Sequence, residues 1–95
     1  MPKATRAHPD AARFGAIITR LRTERGWTLG ELAQRSRMNR VYLGVLEKGG
    51  NLPSLATLFE FAQVFGISAA EIVREVEEAR TAARIKRLAP KPPAE

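Results

Sequence analysis

The sequence contains no cysteine, a single histidine, one tryptophan and one tyrosine. Without thiols there are no disulfides and no thiolate metal sites. His8 on its own builds neither an imidazole zinc site nor a His–carboxylate catalytic arrangement, so no metal, no cofactor and no enzymatic activity is expected. Apolar runs are only a few residues long, far short of the roughly 20 needed to span a bilayer. Residues 1–14, MPKATRAHPDAARF, carry charge but no apolar stretch of the secretory kind. The expectation is a cytoplasmic protein without membrane contact, nucleoid-associated if bacterial. Strand-like alternation of useful length is missing as well. A chain of 95 residues implies one compact domain with tails, burying a modest core that a partner subunit would reinforce.

What is present is positive charge, unevenly placed. The net charge is +6, yet residues 49–78 carry only Arg74 against five glutamates. Residues 14–48 carry seven Lys/Arg against three acids, and residues 79–95 carry five against Glu95. A basic half, an acidic half and basic tails suit a protein that lays one face on a polyanion, although a solvated surface allows such blocks too. Glu75, Glu77 and Glu78 scatter around a helix and read as a solvated face rather than a catalytic cluster. Gly49-Gly50 lacks the Lys-Ser/Thr of a phosphate-binding loop and reads as a helix end.

The punctuation predicts five helices and an all-α fold. Asp10 is the expected N-cap of the first, in which Phe14, Ile17, Ile18 and Leu21 recur on one buried face, with Gly26 closing it. Thr28 and Glu31 have capping-box spacing at the start of a short second helix with Leu29, Leu32 and Ala33 inward. Asn39 caps a third, running to about Lys48 with Leu43 and Leu46 inward. Ser54 caps a fourth, whose core candidates are Leu55, Leu58, Phe61, Ala62 and Phe65, ended by Gly66. Ser68 and Glu71 form a second capping-box pattern before a fifth helix that carries Ile72, Val73 and Val76 and continues through Ala79 and Ala83 towards Leu88. Pro90, Pro92 and Pro93 forbid helix beyond. The resulting division is an N-terminal arm over residues 1–9, a domain over 10–78, and a helical extension with a basic Pro-rich tail over 79–95.

The outward face of the third helix consists of Arg40, Val41, Gly44, Val45 and Lys48, one continuous stripe without an acid. An α-helix fits the major groove of B-DNA, where arginine bonds guanine bidentately and valine packs on thymine methyls. Gly44 lets the helix backbone approach the duplex. Arg40, Val41, Gly44 and Val45 are the candidate base readers, and Lys48 at the helix end is better placed for the backbone. Trp27 is expected to pack between helices.

Leu21-Arg22, Arg25-Gly26, Thr28, Glu31-Leu32-Ala33, Leu43, Leu46-Glu47-Lys48-Gly49, Pro53-Ser54-Leu55, Thr57-Leu58, Ala62, Gly66-Ile67-Ser68 and Ile72 then fall into a pattern. The segment from about Phe14 to Val76 resembles the Cro/repressor (XRE-type) helix-turn-helix family. The resemblance implies a five-helix, lambda-repressor-like domain whose second and third helices read double-stranded DNA. It also implies an Arg22–Glu47 ion pair, with Arg22 near a backbone phosphate. The expected phosphate contacts are Arg22, Thr28, Arg37, Asn39, Tyr42, Lys48 and Asn51; for Tyr42 a phosphate bond and simple half-burial are both open.

Two positions depart from the family pattern. Leu29 stands where many members have a phosphate-binding glutamine, and Arg37 stands where many have a turn glycine, which implies either a mildly strained backbone there or a different turn. The function implied is a transcriptional regulator, repressor or controller-type, binding an inverted-repeat operator as a homodimer through Ile72, Val76 and Ala79. An antitoxin with a toxin partner, or a protein-bridging coactivator, remains open. The acid-free stripe on the third helix favours DNA over the coactivator.

Overall fold

Pro9 sets where the first helix begins. Its ring fixes φ near the helical value and its missing amide is one that helix starts leave unbonded anyway. In the computed structural model, which describes residues 8–88, α1 runs Pro9–Glu24, followed by α2 Leu29–Ser36, α3 Arg40–Glu47, α4 Leu55–Phe65 and α5 Ala69–Leu88. The N-cap of α1 is His8 rather than Asp10: the His8 Nδ1 accepts from the Asp10 amide at 3.0 Å. Asp10 is thereby freed for Arg13, 2.7 Å away. The last two residues of the expected arm thus belong to the helix start, while residues 1–7 and the tail beyond Leu88 lie outside the described residues.

The remaining starts follow the side-chain chemistry of the sequence. Thr28 and Glu31 exchange both bonds of a capping box at 2.9 and 3.0 Å. Asn39 Oδ1 accepts from the amides of Val41 and Tyr42, and the Ser54 hydroxyl accepts from Thr57. At Ser68 only one half of the expected box is present, the Glu71 amide donating to the Ser68 hydroxyl. Gly26 and Gly49 close α1 and α3 at positive φ, each followed by an amide that reaches back to the helix, Trp27 to Arg22 and Gly50 to Val45.

Arg37 occupies the left-handed region at φ 60°, ψ 24°, the one non-glycine residue there among those described. This is the strain implied by its place in the α2–α3 turn. A Cβ in that region costs roughly 1–2 kcal/mol. Arg37→Gly is therefore expected to gain about 1 kcal/mol, less the extra chain entropy of glycine, read as a rise in melting temperature. A variant melting at or below the parent would show that the Arg37 side chain makes a compensating contact.

The core is built from one face of each helix: Phe14, Ile17, Ile18 and Leu21 of α1, Leu32 of α2, Leu43 and Leu46 of α3, Phe61, Ala62 and Phe65 of α4, and Ile72 of α5. Phe61, packed edge-on against Phe14, stacks on Phe65, which stacks on Trp27, and the Arg35 guanidinium lies 4.4 Å from the Trp27 ring centroid. Trp27 thus packs between helices, as its place between α1 and α2 suggested. Arg25 donates to the carbonyl of Phe65 at 2.7 Å and to that of Leu21, tying the end of α1 to the end of α4. One expected core position is corrected. Leu55 is 67% exposed, because α4 offers only one side to the core and this residue lies on the other; Val73 on α5 is likewise 48% exposed.

Candidate nucleic-acid interface

Two contacts seat α3 against α1. A Cβ on Gly15 would lie 2.4 Å from the Leu46 carbonyl oxygen, so α1 and the last turn of α3 touch backbone to backbone. About two turns further along α1, Arg22 grips Glu47 with a two-pronged bond, Nε to Oε2 at 2.7 Å and a terminal nitrogen to Oε1 at 3.0 Å. The other terminal nitrogen donates to the Trp27 carbonyl at 2.8 Å. The bond to Glu47 outweighs burial and holds the Arg22 guanidinium above its ordinary pKa. Three of the five guanidinium N–H groups are committed to the fold, which leaves two for an outside acceptor.

Held this way, α3 turns Leu43 and Leu46 into the core and leaves Arg40, Val41, Val45 and Lys48 exposed. Val41 is 76% exposed, which no folding argument requires of a valine. Gly44 is half-buried, and a Cβ there would meet Leu29 Cδ2 at 3.7 Å, an ordinary contact. Internal packing does not demand glycine at 44. Leu29 itself packs against the core beside it, a hydrophobic use of the position where a polar side chain was expected from the family pattern.

The expected phosphate contacts differ in what the fold leaves them. Asn39 spends its carbonyl oxygen on capping but retains its amide donors, and Thr28, whose oxygen accepts from the Glu31 amide, retains its hydroxyl proton. The amide of Thr28 donates to Glu31, and this bond holds the Glu31 carboxyl below its usual range. Arg37 and Asn51 are exposed, and Tyr42 is half-buried against the core. Ile72, expected at a dimer surface, is 0% exposed and is enclosed by its own protomer; Val76 packs on the same core, and Ala79 is half-buried. Gly15 and Arg35 help to position α2 and α3 but carry no local sequence signal. Among the described residues, no group of acidic or histidine side chains is arranged to hold a metal ion, and no single helix is long and apolar enough to cross a membrane.

A family model described as helix-turn-helix matches residues 18–72, which spans α2, the αL turn at Arg37 and α3. The chain belongs to the Cro/repressor (XRE-type) helix-turn-helix family. The helix-turn-helix chain is 41% identical over 64 residues to the uncharacterised HTH-type transcriptional regulator y4dJ of Sinorhizobium fredii, an alignment covering 67% of this chain and 83% of that one. Its fold is similar to the clp gene regulator ClgR of Corynebacterium glutamicum, with a TM-score of 0.74 and 27% identity over 86% of this chain and 87% of the other. It is also similar to the restriction-modification controller protein C.AhdI of Aeromonas hydrophila, with a TM-score of 0.65 and 31% identity over 68% and 98% of the two chains. The helix-turn-helix protein is thus a DNA-binding transcriptional regulator of all-α fold, and not an enzyme.

Proposed function

We propose that this regulator reads an inverted-repeat operator as a homodimer, with α3 in the major groove of each half-site. The observation that carries the reading is the exposed, acid-free stripe of α3, held by the Arg22–Glu47 pair. Arg40 and Val45 lie on its centre line, with Val41 and Gly44 beside them, and Lys48 stands at the helix end next to Gly49. Thr28, Arg37, Asn39, Tyr42 and Asn51, with the spare N–H groups of Arg22, are assigned to the phosphates. The likeness to a restriction-modification controller supports a controller-type regulator.

The test is selection of duplexes from a random pool, followed by a binding series over operator variants at two salt concentrations. Arg40→Ala is expected to lose roughly 1–3 kcal/mol at one operator position and to relax the preference there. Lys48→Ala is expected to weaken all sequences alike and to reduce the salt dependence by about one phosphate contact. The opposite pattern, uniform loss from Arg40→Ala and altered preference from Lys48→Ala, would mean that the reading face is rotated.

Dimerisation is assigned to the apolar surface left bare by the protomer. Leu52, Leu55, Phe59 and Val73 are exposed, and Leu52, Val73 and the half-buried Val76 line a cavity of about 240 Å³. A single helix-turn-helix covers little DNA, and two copies about 34 Å apart match one helical turn. Val73→Glu is expected to leave the melting of the isolated protomer nearly unchanged and to abolish dimer in sedimentation, with operator affinity falling in step. A parent protein that stays monomeric at high concentration and still binds tightly would overturn this assignment.

A further inference from the structure

Positive charge is concentrated a second time, away from α3, where the first turn of α1 meets the second half of α5. A cavity of about 590 Å³ opens there, lined by Arg13, Arg80, Arg84, Arg87 and His8, with Glu77 the acid in its wall among the described residues. Arg80, Arg84 and Arg87 follow i, i+4, i+7 spacing and so share one face of α5. Asp10 accepts from Arg13 at 2.7 Å and pairs with Arg80 at 3.5 Å, which fixes two of the guanidiniums at the edge of the cavity. Arg84 and Arg87 make no ion pair among the described residues, although both lie within helix. The His8 Nδ1 is occupied by the Asp10 amide, so a neutral ring carries its proton on Nε2, its remaining donor.

Four guanidiniums around one cavity repel one another, and like charges one turn apart weaken a helix. A solvated basic face would spread them around α5; here they converge with Arg13 from a different helix. The planar fork of arginine matches the oxygens of a phosphoryl group and bonds it bidentately. From Arg80 to Arg87 the helix rises about 10 Å, more than one phosphoryl group covers.

We infer that the α1/α5 groove is a phosphate-binding site that takes a row of adjacent phosphoryl groups. Two sources present that chemistry. One is the DNA backbone next to the operator contacts of α3, since the α1 wall of the groove abuts the end of α3 where Gly49 packs on Ala12. The other is a free oligophosphate.

The experiment uses the full chain and the variant R84Q/R87Q, whose melting should match the parent because neither side chain is paired among the described residues. R74Q/K86Q removes the same charge from α5 outside the groove and is the control. In the first arm, inorganic triphosphate is titrated without DNA. In the second, the salt slope of operator binding is measured. If the source is a free oligophosphate, R84Q/R87Q weakens triphosphate binding at least tenfold relative to the control and leaves the operator slope alone. If the source is DNA, it lowers the slope by about two phosphate contacts with base preference unchanged. Either result supports the site. If R84Q/R87Q matches R74Q/K86Q in both arms, there is no phosphate site in the groove. The triphosphate arm involves no DNA. A parent protein without operator preference would therefore overturn the α3 reading and leave this inference standing on the first arm.

Discussion

Replacing Gly15 with alanine is expected to lower the stability of the protein by about 1–3 kcal/mol, the usual cost of forcing a methyl group into filled space. The sign is informative, because alanine in a helix interior is otherwise favoured over glycine by roughly 1 kcal/mol. At Gly15 the added Cβ would meet the carbonyl oxygens of Leu46 and Glu47 at 2.4 and 2.6 Å. Those atoms are backbone of α3 and cannot rotate away, so relief requires α3 to move as a unit. The melting temperature should fall by roughly 4–8 °C for each kcal/mol in a domain of this size. Operator binding should fall further than the loss of folded protein explains, because the displaced helix carries Arg40, Val41 and Val45. A variant that melts at or above the parent temperature would show that α1 and α3 are not in backbone contact.

Arg22→Ala is the second change with a large expected effect. It strands the Glu47 carboxylate, whose side chain is only 10% exposed, and removes the donor to the Trp27 carbonyl. Breaking one partner of a buried pair destabilises by about 3–5 kcal/mol, and the remaining exposure of this pair places the expectation near the low end. Arg22→Lys should recover little, since an ammonium cannot bond both carboxylate oxygens and the carbonyl in the same plane. The double variant with Glu47→Ala should be more stable than Arg22→Ala alone, because the unpaired charge is gone. Thermal melts of the four proteins measure this coupling. If all four melt together, the pair is a surface contact of no consequence. Operator affinity is expected to drop with Arg22→Ala even where the protein remains folded, through the lost orientation of α3 and the two N–H groups left for phosphate.

The helices and their starts were legible because their causes are local. A threonine three residues before a glutamate bonds within one turn, so Thr28–Glu31 needed no tertiary information, and neither did Asn39, Ser54, Gly26 or Gly66. The apolar spacing of Phe14, Ile17, Ile18 and Leu21 likewise located the buried face of α1. The errors fall where two elements compete for one residue. Asp10 and His8 were both able to cap α1, and only the placement of Arg13 and Arg80 beside Asp10 shows why the histidine does so. Leu55, Val73 and Ile72 are equally hydrophobic. Which of them is enclosed depends on the crossing of α4 and α5 over the core, and periodicity along one helix does not contain that angle.

An all-α chain of five capped helices, an acid-free stripe on the third and, through the motifs, the helix-turn-helix family follow from the order of the amino acids. Each of these depends on interactions within about one helical turn, or on a pattern of residues along the chain. Only the packing of the helices against one another reveals which apolar side chains stay bare, that Gly15 is required by a helix crossing, and that Arg13 joins the arginines of α5 around one groove. Those outcomes depend on distances between segments remote in sequence, and such distances are set only when all the buried faces are satisfied at once.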